Sequence, residues 1–266
     1  MTLRRAPALA TIALAVACSS AVAGREAPSP ALQSASATTT TAAPPALGTL
    51  EHLPDGRTYW FTPASPSGRH PLLLVLPGLY LSPQNVAAQT QVLPWAKAQA
   101  VSVAFPVGEH ASWSAGGSCC GYARSNRVDD VAFLKAVVAD AERRVDVDPR
   151  RIGVMGDSLG GMMALRAACA APSAFRLGAA VGGPLLVRCP TGNLIRVRGR
   201  HDRTVPAEGG YDAYLHTTLP SLAQEHGLLG PHARERMIVW DGGHAWPHRS
   251  DGLDATAVIG AALLKL

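Results

Sequence analysis

The chain has 266 residues, a formal net charge of +5 and 47% hydrophobic side chains, enough for one domain with a sizeable core. Its basic excess does not mark a nucleic-acid binder. Arg4 and Arg5 belong to an export signal, the other arginines are scattered and often neighbour Asp or Glu, and no Lys/Arg run alternates with aromatics. The apolar run of residues 8–17 is too short to span a bilayer as a stable helix.

Residues 1–23 have the basic start, short apolar run and small-residue cleavage region of a signal peptide. Two processing sites compete: a lipobox that would make Cys18 the lipidated first residue, and a secretory A-x-A site ending at Ala23. Both predict an extracytoplasmic protein, whose one membrane link would be a lipid on Cys18. Residues 24–48 are dominated by Ala, Ser, Thr and Pro, too poor in large apolar groups to offset ordering entropy, and read as a disordered spacer. A catalytic domain is expected over residues 49–266.

Residues 59–61 read as an early strand, and residues 72–76 (LLLVL) as a buried strand stopped by Pro77-Gly78. Residues 101–105 form a third, stopped by Pro106. Residues 129–144 are helical, with Val131, Leu134, Val137, Val138 and Ala141 on one face. Asp129 and Asp130 suit the positive end of that helix. Strand 152–155 runs into helix 159–170. Strands follow at 194–197 and 237–240 with a helical stretch between them, and the last helix covers residues 253–264. Apolar strands alternating with helices predict an α/β fold: a mostly parallel central sheet covered on both faces.

The strand–helix junction carries Gly156-Asp157-Ser158-Leu159-Gly160. It spells two esterase motifs at once, GDSL and G-x-S-x-G, and both make Ser158 a nucleophile. Small neighbours let a serine occupy a sharp turn, and the next helix points its N-terminus at the site, making the Leu159 N–H an oxyanion donor. A serine needs a base, and His244 lies on a Gly-rich loop at the C-terminal end of a strand, where open α/β sheets gather catalytic groups. His201, His226 and His248 are its rivals. The base needs an acid: Asp241 in a GDSL arrangement (D-x-x-H), or Asp202 in the order Ser–Asp–His. The GDSL serine follows the first core strand and expects a G-x-N-D block. Here two core strands come earlier and the block is absent, so the order favours Asp202. Pro77-Gly78 then supplies the second oxyanion donor from Leu79, or from Tyr80 beside it. Trp113 and Trp246 are candidates for a substrate-stacking wall, with core packing as the alternative. No Cys/His spacing suggests a metal site. Cys119, Cys120, Cys169 and Cys189 permit three complete disulfide pairings, among which spacing does not choose.

These motifs together resemble the exported α/β-hydrolases related to poly(3-hydroxybutyrate) depolymerases, feruloyl esterases and acetylxylan esterases. The resemblance spans nearly all of residues 71–247, through LLLVLPG, SW at Ser112-Trp113, CCGYA, VDPRRIGVMGDSLGGMMA, RGRHDRTVPAEGG and GGHAWP. It implies a cofactor-free serine esterase of the α/β-hydrolase fold acting on carboxylic esters, with the triad Ser158, Asp202 and His244. It also implies a bond between Cys169 and Cys189, and leaves Cys119 and Cys120 bonded or reduced. The chain departs from the family pattern at Pro77, where His precedes Gly, and at Leu159, often Asn. Two other readings stay open: a GDSL-type esterase using Asp241 and His244, and a non-catalytic binding lipoprotein on a hydrolase scaffold.

Overall fold

The structure is a computed structural model that describes residues 46–64, 67–117 and 119–266. The signal peptide, Cys18 and nearly all of the spacer lie outside the described residues. The spacer was expected to run to residue 48, but Leu47 is buried in the core and its carbonyl accepts a hydrogen bond from Thr62 Oγ1 (2.9 Å). Gly48 turns the chain there at φ +82°, so order begins before the first strand.

The strands are β1 (Thr49–His52), β2 (Thr58–Thr62), β3 (His70–Leu76), β4 (Ser102–Pro106), β5 (Val147–Asp157), β6 (Leu177–Val181), β7 (Cys189–Gly199), β8 (Gly210–Asp212), β9 (Thr217–Leu219) and β10 (Leu229–Trp240). The helices are α1 (Pro83–Thr90), α2 (Val92–Gln99), α3 (Gly121–Ser125), α4 (Asp130–Arg144), α5 (Ser158–Ala170), α6 (Leu222–His226) and α7 (Ala255–Leu264). Eight strands form one sheet in the order β1-β2-β4-β3-β5-β6-β7-β10. β1 and β2 run antiparallel, and β4 onward is parallel.

Strand geometry sends alternate side chains to opposite faces, so the apolar run of β3 feeds two cores. Leu72, Leu74 and Leu76 pack with α4 and α5, while Leu73 and Val75 pack with α1, α2 and α7. The expected mostly parallel sheet with helices on both faces is therefore present. Asp129 caps α4 by accepting the Ala132 N–H, so the helix begins at Asp130.

Three features differ from the sequence expectation. β1 pairs on the sheet edge. β6 (LGAAV) is too rich in small residues to read as a core strand, yet its smallness is what α5 needs. A Cβ on Gly178 would lie 2.6 Å from Ala168 Cβ. Between β7 and β10 the chain forms the β8–β9 hairpin and only five residues of helix, α6.

Cys169, in the last turn of α5, is disulfide-bonded to Cys189 at the start of β7. Cys119 and Cys120 form an adjacent bonded pair. Replacing Cys169 and Cys189 together with Ala should lower stability by about 3 kcal/mol, because the bond closes a loop of 20 residues. The midpoint of urea unfolding measures this.

Candidate active site

Ser158 sits where β5 turns into α5, at φ +49°, a conformation that L-residues rarely hold. Neighbouring backbone encloses it. A Cβ on Gly156 would lie 2.6 Å from the Gly160 carbonyl oxygen, and one on Gly160 would collide with the Leu76 and Pro77 carbonyls. Crowding from the end of β3 therefore requires the glycines that flank the serine. The first N–H groups of α5, Leu159's among them, have no partner within the helix.

The Pro77-Gly78 turn lies against this elbow: a Cβ on Gly78 would sit 3.3 Å from Asp157 Oδ2 and 3.5 Å from its carbonyl oxygen. The Tyr80 N–H donates to Ala111 O (2.8 Å) and the Leu81 N–H to Gly78 O (3.1 Å). Tyr80 is thereby removed as an oxyanion donor, which leaves Leu79 from the pair considered in the sequence.

His244 and Asp202 meet across the C-terminal ends of β10 and β7. His244 Nδ1 lies 2.8 Å from Asp202 Oδ2. Against a carboxylate that nitrogen must donate, which leaves Nε2 as the free, proton-accepting position. Asp202 is buried, and its second oxygen accepts the N–H groups of Thr204 (2.9 Å) and Val205 (2.7 Å). Burial disfavours a charged imidazole, but the hydrogen bond and charge of Asp202, aided by Asp157, outweigh it and raise the pKa of His244 above the ordinary value. Gly182 and Gly183, after β6, bring this pair to the elbow. A Cβ on Gly182 would lie 2.9 Å from the His244 ring, and one on Gly183 2.6 Å from the Ser158 carbonyl oxygen.

Asp241 is elsewhere. It is 81% exposed and pairs with His201 Nε2 at 2.9 Å, so it does not serve His244 as the GDSL arrangement requires. His248 is tied into its own turn, its N–H donating to Asp251.

The two tryptophans correct the sequence expectation of a stacking wall. Trp113 is fully buried and donates from Nε1 to the Pro77 carbonyl (2.9 Å), bracing the Pro77-Gly78 turn from behind. Trp246 is 3% exposed and donates to Thr256 Oγ1 (3.0 Å), which donates to Thr90 O, so the His244 loop is anchored to α7 and α1. Both rings pack inside the hydrophobic cores. Asp130 is also more than a helix-start residue. Fully buried, it accepts the Ser114 N–H (2.7 Å) and pairs with Arg57 (2.9 Å), holding the loop that presents Trp113.

Asp157 is a site residue that the sequence reading passed over. It is buried beside Gly78, and burial pushes its carboxyl pKa up. Its place inside the motif, immediately before Ser158, was the available signal. Among the described residues no cluster of His, Cys, Asp and Glu could hold a metal ion.

Residues 113–189 match the prolyl oligopeptidase family. Over 154 residues the chain is 36% identical to the putative esterase NocK of Nocardia uniformis subsp. tsuyamanensis, covering 55% of this chain and 44% of that one. It is 29% identical to feruloyl esterase C of Emericella nidulans over 168 residues, covering 59% and 56%. The chain thus aligns with only about half the length of these relatives. Among solved structures it resembles acetyl xylan esterase 1 from Thermoanaerobacterium sp. JW/SL YS485, with TM-score 0.55, 15% identity and coverage of 78% and 79%. Esterase PE8 is similar at TM-score 0.53, 18% identity and coverage of 76% and 96%. At such identities the structural likeness is one of fold, and that fold is the α/β-hydrolase fold.

Trp113→Phe should leave Pro77 O buried without its donor and cost about 1–3 kcal/mol. The expected result is a lower urea midpoint at unchanged slope.

Proposed function

We propose that this α/β-hydrolase is a serine carboxylic-ester hydrolase working through Ser158, His244 and Asp202. The observation that carries the proposal is the Asp202–His244 hydrogen bond at 2.8 Å, made by a buried carboxylate and a half-buried imidazole and reaching the elbow through Gly182 and Gly183. The esterases among its relatives support the same reading.

In this mechanism Ser158 Oγ attacks the ester carbonyl as His244 Nε2 takes its proton. The C–O bond to the alcohol then breaks, and His244 returns the proton to the departing alcohol. Water, activated by the same imidazole, cleaves the acyl-enzyme. Asp202 holds the tautomer and stabilises the imidazolium. The N–H groups of Leu159 and Leu79 hold the oxyanion through both halves. No step calls for a cofactor.

The substrate class we favour is a feruloyl, acetyl-polysaccharide or hydroxyalkanoate ester. A groove of about 300 Å³ begins at Leu185 and Leu186, in the segment that follows Gly183, and its leucines, interspersed with Thr217, Thr218 and Gln224, offer an apolar wall for an acyl group. We also propose that the enzyme acts outside the cytoplasm, freely secreted or tethered through Cys18. The Cys169–Cys189 disulfide favours an oxidising compartment. No helix among the described residues is long and apolar enough to cross a membrane.

Wild-type protein should hydrolyse p-nitrophenyl butyrate, and Ser158→Ala should abolish the turnover. Asp202→Asn should reduce kcat by about 10⁴-fold, and Asp241→Asn should change it little. Loss of activity in Asp241→Asn alone would overturn the choice of acid.

His244 must be neutral to accept the proton, so kcat/KM should fall on acidification. Because its pKa is raised, the midpoint of that fall should lie above the ordinary imidazole value of 6.5. A pH–rate profile measures it.

A further inference from the structure

Arg196 and Arg198 interrupt the apolar run of β7, and a parallel strand covered on both faces is a costly place for charge. Two residues apart, they project from the same face, where they are 1% and 2% exposed. Glu225 of α6, also fully buried, receives both: Arg198 Nη1 lies 2.8 Å from its Oε1, and Arg196 Nη1 bonds its Oε2. Glu235 of β10 takes the other side of Arg196.

The remaining bonds of this cluster run toward the site. Arg198 Nη2 donates to the carbonyls of Val205 (3.0 Å) and Pro206 (3.4 Å), the segment whose Thr204 and Val205 N–H groups grip Asp202 Oδ1. Glu225 Oε2 also accepts the N–H of Leu185 (2.7 Å), two residues beyond Gly183. One buried carboxylate therefore holds the acid loop on one side, through Arg198. On the other side it holds the turn against which the imidazole and the serine backbone pack.

We propose that Glu225 and Arg198 are positioning residues that fix the Asp202–His244 pair relative to Ser158, an inference that rests on the triad proposed above. Neither touches the reacting atoms. An ion pair that only filled the interior would need no bonds to both loops. Glu235 bonds the same cluster but neither loop, and so separates the two roles.

The experiment compares Glu225→Gln, Arg198→Lys and Glu235→Gln in the full chain. Thermal unfolding, kcat and KM on p-nitrophenyl butyrate, and the low-field proton resonance of His244 Nδ1–H are measured. That resonance is assigned by its loss in Asp202→Asn. Glu225→Gln should lower kcat about 10- to 100-fold with KM within about threefold, and should shift or broaden the resonance. Arg198→Lys, which keeps the charge but loses the fork, should fall between it and wild type. Glu235→Gln should lower the unfolding temperature and leave kcat and the resonance as in wild type. Wild-type kcat and resonance in both Glu225→Gln and Arg198→Lys would overturn the proposal. So would losses no larger than those of Glu235→Gln at the same drop in unfolding temperature. If Glu225→Gln does not fold, Arg198→Lys decides by the same readouts. If wild type hydrolyses no ester, the esterase reading fails, while the resonance still tests the positioning.

Discussion

The close approach of backbone to backbone at the nucleophile turn governs the rest of this site. Ser158 is held at φ +49° because the end of β3, the first turn of α5 and the turn after β6 converge on it with almost no side-chain atoms between them. Gly156, Gly160 and Gly183 each leave the space of one Cβ that other backbone fills, and at Gly161 the Gly156 carbonyl and Ala180 fill it together. From this crowding follow the close approach of the Pro77-Gly78 turn to the elbow and the small residues of β6.

Around that centre each functional loop has its own brace, and the braces belong to different parts of the sequence. Trp113 holds the Pro77-Gly78 turn through the Pro77 carbonyl and is itself held by Asp130 and the Ser114 backbone. Trp246 fastens the base loop to the opposite face of the sheet through Thr256. Buried charges surround the acid loop, at a desolvation cost that good geometry must offset. Functional loops are usually the mobile part of a fold. These are tied at their bases by hydrogen bonds to buried polar side chains, a means of holding catalytic geometry on loops.

Electrostatics at the pair follows from burial. Asp202 is shielded from solvent and spends both oxygens on defined donors, so it can fix the tautomer of His244 and favour its protonated form. Asp241 shows the contrast. It stands three residues from the base in the chain, yet it is solvated and bound to His201. Proximity in sequence says little at the end of a strand, where a tight turn can send neighbours to opposite sides.

By itself the sequence determined the succession of core strands from β2 to the elbow, the burial of β3, and a nucleophile turn with small residues beside Ser158. These are local properties, written in periodicity and in residue size. It also ranked Asp202 over Asp241, because that choice depends on the order of elements along the chain. The tertiary structure alone decided the rest. It made two tryptophans with undecided roles into buried braces and Asp130 into an anchor, and gave two arginines in an apolar strand a shared carboxylate 27 and 29 residues away. The physical reason is the same in each case. A polar side chain's role is set by the partner that satisfies it when buried, and that partner comes from a distant element whose position only the folded chain defines.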